Sequence, residues 1–383
     1  MLTAVLLLLS VSFANPAVPD ALPKTFETIA KAADQAREAD RLNEAIDLYS
    51  KAVRLRPAWA DGWWWLGSIF YEQDRFSEAE GPFRRYIALS PKPAPAYAFL
   101  ALCEYETQDY AAARHHFELW SKAGSPRNDA LRDVAGYHWA LLLTREGRFN
   151  EALLLLAAKA QKLGAAPALT EPMGLASLRM AFLPENYPQQ HREAVWLAGM
   201  AAYYCLKSDF PRSDDFAERL LQHYGQEPNV HYFRGTLLRF QQKLDPAAEE
   251  FQKELQISPG HAPALTEWAV ARVEVGRPAE ALTPARRAVE LDPQSARAHY
   301  VLGQALLETG SYQESAHELE IAKRLAPESS RIRFALSNAY KRLGRQQDSK
   351  REQAAFLALK DKDNVLAPLD DKLKTPRGTG RPE

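Results

Sequence analysis

The residue types and motifs that build reaction centres are scarce in this sequence of 383 residues. Its two cysteines, Cys103 and Cys205, do not have zinc-binding spacing, and there is no H-E-x-x-H motif, glycine-rich phosphate loop or G-x-S-x-G motif. The nine histidines are scattered, and the adjacent pair His115 and His116 would not share a helix face. The sequence therefore predicts no enzyme activity, no cofactor and no metal site.

The sequence also lacks an excess of charge of either sign. Its 48 Lys and Arg residues nearly balance its 49 Asp and Glu residues, which gives a formal net charge of −1 at pH 7. A clear basic excess is what favours binding to nucleic acid or to an acidic lipid surface. The composition therefore favours neither of these partners.

A hydrophobic run long enough to cross a membrane is missing as well. Residues 1–14 are largely apolar, but the run is too short to span a bilayer as a stable helix. The run ends in Ser12-Phe13-Ala14, a small-x-small pattern, so residues 1–14 resemble a secretory signal peptide that lacks a basic start. We expect an exported protein, periplasmic or secreted, with no stable membrane anchor beyond this leader and with a linker over residues 15–25.

What the sequence does contain is a repeated pair of amphipathic helices, most regular in residues 60–93. The apolar positions of the first helix are Trp63, Leu66 and Phe70, and those of the second are Ala79, Phe83 and Tyr86. Each set falls on one helix face because its members are separated by three or four residues. Gly67 is small where the two helices must approach closely, and Ser90-Pro91 ends the second helix. Such a unit cannot bury its apolar faces without neighbours.

The same pattern recurs with a step of 34 residues. The positions that recur at this step include Ala45, Ala79 and Ala113, then Pro57 and Pro91, then Pro259, Pro293 and Pro327. The spacing of Trp63, Leu66, Gly67 and Phe70, followed by Ala79, Phe83 and Pro91, resembles the tetratricopeptide repeat. This resemblance implies an all-α fold, a right-handed α-solenoid of about nine helix–turn–helix repeats.

The repeat boundaries divide the chain into an ordered series of segments. We expect repeats one to four over residues 26–166, a non-repeat helical insertion over 167–191, repeats five to nine over 192–360, and a disordered tail over 361–383. These segments, with the leader and linker, account for the whole sequence and leave no separate catalytic domain. Cys103 and Cys205 would be about three repeats apart, so we expect two free and buried thiols.

The resemblance also implies a binding groove, because the first helix of each repeat in this family lines the concave surface. Its fifth position, which faces the groove, is aromatic in six of repeats two to nine, and further tyrosines follow along the same face. The predicted groove residues are Trp64, Tyr71, Tyr105, Tyr137, Trp196, Tyr203, Tyr232, Tyr300 and Phe334. Aromatic residues at helical spacing are also typical of a core, so packing between neighbouring first helices is the alternative.

These residues predict a non-enzymatic scaffold that binds an extended peptide or a partner protein of unknown identity. Affinity would come from the rings, and specificity from the flanking side chains Arg239, Gln304, Glu308 and Arg331. Two alternatives keep the same fold. The groove could bind a cell-envelope glycan or an apolar small ligand, or the protein could be an envelope assembly factor that forms homo-oligomers through its end repeats.

Overall fold

The computed structural model describes residues 24–123 and 129–366, and in these residues every regular element is a helix. The expected leader, nearly all of the linker and most of the expected tail lie outside the described residues. No helix in the described part of the chain is long and apolar enough to cross a membrane. The chain divides into two compact units: unit 1 reaches Lys159 and includes Ala181–Asn186, and unit 2 contains the rest.

Within the described ranges, each unit is a series of α-helices. Unit 1 contains α1 (Lys24–Glu38), α2 (Leu42–Leu55), α3 (Ala60–Glu72), α4 (Phe76–Leu89), α5 (Ala94–Glu106), α6 (Tyr110–Ala123), α7 (Asp129–Arg145) and α8 (Phe149–Ala160). Unit 2 contains α9 (Pro167–Ser177), the 3₁₀ turn Gln189–His191, α10 (Arg192–Leu206), α11 (Phe210–Tyr224), α12 (Val230–Phe240), α13 (Leu244–Ile257), α14 (Ala262–Glu274), α15 (Pro278–Leu291), α16 (Ala296–Glu308), α17 (Tyr312–Leu325), α18 (Ser330–Arg342) and α19 (Gln346–Leu366).

Consecutive helices pair as hairpins, and the hairpins stack within each unit. In unit 2 the pairs α12–α13, α14–α15, α16–α17 and α18–α19 pack closely, and each second helix also packs on the first helix of the next pair. Neighbouring first helices contact each other more closely than neighbouring second helices do. We call the surface formed by the first helices α12, α14, α16 and α18 the inner face of unit 2.

The turn inside each hairpin requires a left-handed backbone at one residue, and this residue recurs with the repeat. Residues with φ between 54° and 89° include Asp40, Asp74 and Gln108 in unit 1, and Ser208, Gln242, Gly276, Gly310 and Gly344 in unit 2. Glycine adopts this conformation without strain, and other residues do so at some cost. The conformation is therefore imposed by the hairpin rather than by the residue type.

Small residues allow the two helices of a hairpin to touch. A Cβ atom at Gly67 would lie 3.0 Å from the ring of Phe83, and one at Gly235 would lie 2.5 Å from the ring of Phe251. Both rings are fully buried. The expectation that Gly67 marks a close helix approach is confirmed.

Two boundaries differ from those expected. The left-handed turn residues follow one another at 34 residues from Ser208 onward, so repeat five begins at residue 194 and not at 192. The expected register took Gly199 as the small residue facing the second helix, but Gly199 instead lies against Thr170 of α9. At the other end, α19 continues to Leu366, six residues into the expected disordered tail. Its charged residues are good helix formers, and Pro368 is the next residue that ends a helix.

Candidate functional site

The rings predicted to line a groove in unit 1 are packed between helices. Trp64 is 9% exposed, and its ring centre lies 5.9 Å from that of Phe83 and 5.6 Å from that of Phe99. Tyr105 is also 9% exposed and contacts the rings of Tyr110 and His138. The description of these residues as exposed rings is therefore wrong for Trp64 and Tyr105, because the rings fill the space where neighbouring first helices meet.

The remaining predicted residues of unit 1 are half-buried. Tyr71 packs edge-on against Phe76 and Phe99. Tyr137 lies beneath the ammonium group of Lys159, whose Nζ is 4.4 Å from the ring centre. Both rings keep part of their surface available to solvent, but each already has a partner in the fold.

The corrected register moves two predicted residues away from the inner positions of repeat five. The Ser213 hydroxyl donates to the Ala201 carbonyl at 2.8 Å, as Ser315 does to Gly303 at 2.7 Å, so Ala201 occupies the glycine position. Trp196 is 42% exposed and its ring packs edge-on against Phe216 of α11, the second helix of its own hairpin. Its expected fifth position belongs to Ala198. Tyr203 is 7% exposed, and its hydroxyl donates to the Leu163 carbonyl.

Tyr232 is on the inner face of unit 2 but is covered by residues that the repeat pattern does not include. Its exposed fraction is 6%. The guanidinium of Arg179, just after α9, lies 5.6 Å from its ring centre, and His261 lies 5.0 Å away on another side. Burial raises the pKa of Tyr232 to about 12. The segment that follows α9 therefore closes the inner face at this end.

A buried ion cluster follows Tyr232 along the inner face. The carboxylate of Glu267 in α14 is 8% exposed and accepts two hydrogen bonds from Arg297 in α16, at 2.7 and 3.0 Å. The Nε of Arg239 in α12 lies 3.0 Å from the same carboxylate. Burial alone would raise the pKa of Glu267, but the charges of Arg297 and Arg239 outweigh it and lower the pKa. The cluster joins three successive first helices.

Tyr300 in α16 is the next ring along the inner face, and it is surrounded by charge. It is half-buried, and burial raises the pKa of its hydroxyl. The cations Arg331 and Arg297 oppose this shift, and the carboxylates Glu274 and Glu308 add to it. All four charges therefore lie within electrostatic reach of one hydroxyl group.

Two of these charges have no counter-ion in the fold. Among the described residues, neither Arg331 of α18 nor Glu308 of α16 forms an ion pair, and both are exposed. Burial of part of its carboxylate raises the pKa of Glu308. Phe334 follows Arg331 on α18 and is 51% exposed, with its ring centre 5.2 Å from that of Phe356. This end of the inner face presents an aromatic ring between a free cation and a free anion.

Sequence reasoning identified part of this surface and missed the rest. Arg239, Gln304, Glu308 and Arg331 were predicted as flanking residues, and Gln304 is half-buried four residues beyond Tyr300. Arg297, Glu267 and Glu274 were missed. A signal for two of them was present, because Arg297 and Arg331 share one repeat position, as Glu274 and Glu308 share another.

The arrangement fits binding better than chemistry. Within the described ranges no group of three His, Cys, Asp or Glu side chains could hold a metal ion. The described thiols, Cys103 and Cys205, are free and buried, as expected, and burial raises the pKa of each. Neither is activated as a nucleophile.

Comparison with known proteins agrees with the repeat pattern. The model of the family described as tetratricopeptide repeat matches residues 30–94 and 266–330, one segment in each unit. Similar solved structures include MamA from Desulfovibrio magneticus RS-1, with 20% identity, a TM-score of 0.41 and coverage of 45% of this chain and 98% of that chain. Another is YrrB, described as a TPR protein with an unusual peptide-binding site, with 14% identity, a TM-score of 0.38 and coverage of 48% and 91%.

These structural likenesses are weak, and a search of curated proteins found no match. The family assignment therefore rests on the two matched segments and on the 34-residue series of helical hairpins. The chain belongs to the tetratricopeptide repeat family.

Proposed function

We propose that this protein is a non-enzymatic scaffold that binds a partner protein on the inner face of unit 2. The observation that carries the proposal is the convergence of Arg297, Arg331, Glu274 and Glu308 on Tyr300, beside the exposed ring of Phe334. Aromatic rings and arginines are the side chains that contribute most to protein interfaces. Charged residues around them favour a defined partner over nonspecific apolar contact.

The predicted aromatic groove is retained in the proposal only in part. Phe334 and Tyr300 can contact a partner, because they are exposed and half-buried respectively. Trp64, Tyr105, Tyr203 and Tyr232 act first as packing residues, since each is at least nine-tenths buried. The binding surface is therefore smaller and more charged than a continuous row of rings.

A site-specific photo-crosslinker tests the proposal. One variant carries the crosslinking residue in place of Phe334, and a matched variant carries it in place of Leu291, which is 36% exposed at the end of the second helix α15. We expect a protein adduct from position 334 and little from position 291. Equal adducts from both positions, or an adduct from 291 alone, would overturn the proposal.

The alternatives give different results in the same experiment. Binding of a glycan or small ligand would give no protein adduct at either position. Self-association would give an adduct of twice the mass of the chain. Export remains part of the proposal, and the mass of the mature protein recovered from the envelope fraction would show whether residues 1–14 are removed.

A further inference from the structure

The charged residues of α16 are placed against the dipole of their own helix. Arg297 is the second residue of α16, near the partial positive charge of the helix N-terminus, and Glu308 is its last residue, near the partial negative charge of the C-terminus. Arg331 repeats the first placement in α18, and Glu274 repeats the second in α14. Each placement opposes helix stability, so the need to form these helices does not account for the four charges.

The internal ion pairs of unit 2 do not account for all of them either. Arg297 is held by Glu267, and Glu274 lies 3.7 Å from Arg239. Arg331 and Glu308 form no ion pair with any residue that the structure describes. Two charges that oppose their helices and lack a counter-ion are available to a ligand that brings the opposite charges.

The four charges form two parallel edges of the inner face. Arg297 and Arg331 mark the edge at the helix starts, and Glu274 and Glu308 mark the edge at the helix ends. Eleven residues separate Arg297 from Glu308, which corresponds to about 16 Å along the helix axis. Tyr300 lies between the edges and senses both. This width accommodates one peptide backbone with side chains reaching to either edge.

The length of the charged region indicates the conformation of the ligand. Neighbouring helices pack 8–10 Å apart, so α14 to α18 covers about 20 Å. An extended chain rises about 3.3 Å per residue, so about six residues would cross the region, with successive side chains on opposite sides. A helix of this length would have about 13 residues and be only marginally stable alone.

We propose that the inner face between α14 and α18 selects an extended segment in which acidic and basic residues alternate. Acidic side chains would meet Arg297 and Arg331, and basic side chains would meet Glu274 and Glu308. The inference rests on the proposed function and names the chemistry of the partner for the same surface. A ligand with both signs of charge also agrees with a surface that carries two cations and two anions.

Peptides of equal composition test the alternation. Two labelled hexapeptides carry three Glu and three Lys residues, one in strict alternation and one as a block of each, and their binding to the full chain is followed by fluorescence anisotropy at low salt. We expect the alternating peptide to bind at least about tenfold more tightly, since only it can present both charges to both edges at once. Equal affinities would overturn the inference.

Charge reversal provides the matching protein variants. Arg331→Glu makes both edges acidic at α18, and should lose the alternating peptide by about tenfold and gain affinity for hexalysine. Glu308→Arg should instead gain affinity for hexaglutamate. The matched control is Arg324→Glu on the second helix α17, which makes the same change in net charge and should leave all affinities within about twofold. An Arg331→Glu variant that binds like the control would also overturn the inference.

Folding and the proposed function are checked separately. Both reversals place charges in agreement with the helix dipole, so helical content and thermal midpoint should be unchanged or higher. If the crosslinker at position 334 still captures a protein but the peptides do not discriminate, the alternation fails and the proposed function stands. If position 334 captures no protein, the proposed function fails as well.

Discussion

At the scale of single residues, the contact between Gly235 and Phe251 shows how one missing side chain sets the spacing of a hairpin. Gly235 is in the interior of α12, where glycine normally weakens a helix relative to alanine. A Cβ here would lie 2.5 Å from the fully buried ring of Phe251. The packing requirement therefore outweighs helix propensity at this position.

This contact predicts opposite effects for two similar substitutions. Gly235→Ala should destabilise its hairpin by about 1–3 kcal/mol, because the buried ring must move. Gly136→Ala, in the interior of α7 with no atom within 4 Å of the added Cβ, should stabilise the protein by about 0.5–1 kcal/mol. Urea unfolding followed by helical signal measures both. Two changes of the same sign would contradict this account of the packing.

The cysteines predict a simple labelling result. Cys103 and Cys205 are free and at most 3% exposed, and burial raises the pKa of Cys205 to about 12. The thiolate fraction at pH 8 is therefore very small. Ellman's reagent should react with neither thiol in the native protein and with both in denaturant. Rapid reaction of either thiol in the native protein would show that its helix is not packed as described.

Residue-level predictions from sequence were limited by burial. The spacing located Trp64, Tyr232 and Tyr300 on first helices, and this is where the structure has them. It could not show that Trp64 would be enclosed by Phe83 and Phe99, because that depends on how closely adjacent hairpins approach. Period alone does not distinguish a ring that lines a groove from a ring that fills a gap between helices.

At the scale of helices, Glu352 joins the last described hairpin through two ion pairs. Its side chain is 2% exposed and lies 2.8 Å from Arg333 of α18 and 3.1 Å from Lys323 of α17. Burial alone would raise the pKa of Glu352, but the hydrogen bonds from Arg333 and Lys323 outweigh it and lower the pKa below 4.5. His231 with Glu250 and His299 with Glu318 form the same kind of pair at the equivalent repeat positions.

A carboxylate with a lowered pKa in the folded state stabilises the protein above its unfolded pKa. That stability is lost as the pH falls below 4.5 and through the lower folded value. Glu352→Gln should therefore destabilise the α18–α19 hairpin by about 2 kcal/mol at pH 7. The difference from the native protein should shrink towards pH 3, where the native carboxyl is protonated too.

Hydrogen exchange of the α18 and α19 amides at several pH values measures this prediction. A matched control is Glu290→Gln on α15, whose exposed carboxylate pairs only with Arg287 three residues away. This control should change exchange little, since exposed pairs contribute little. A Glu352→Gln effect that is equal at pH 3 and pH 7 would show that ionisation is not its cause.

The helices of the regular repeats were predictable because their pattern recurs, and the α9–α10 pair was not. The insertion was expected to contain a short helix from Glu171, and the structure has α9 at Pro167–Ser177. A Cβ at Gly174 would lie 1.9 Å from the Val195 carbonyl oxygen, and one at Gly199 would lie 1.9 Å from the Thr170 carbonyl oxygen. Such mutual glycine contacts between helices have no period in the sequence, so they displaced the assigned register by two residues.

At the scale of the whole molecule, a net charge of −1 conceals surfaces of different character. The inner face of unit 2 carries arginines and carboxylates on opposite edges. In unit 1, burial and the neighbouring carboxylate of Asp34 raise the pKa of Asp61, and burial with Asp74 and Glu185 raises that of Glu106. Composition averages over these differences, which is why it predicted weak electrostatic steering and gave no indication of a charged site.

The central claim is that the inner face of unit 2 binds a partner protein, and calorimetric titration tests it most directly. The protein captured from position 334 would be titrated into the native chain, Arg331→Glu and Arg324→Glu. The account predicts that Arg331→Glu weakens binding by about tenfold or more while Arg324→Glu stays within about twofold of the native affinity. Equal affinities for all three proteins would contradict it and would place the partner elsewhere on the molecule.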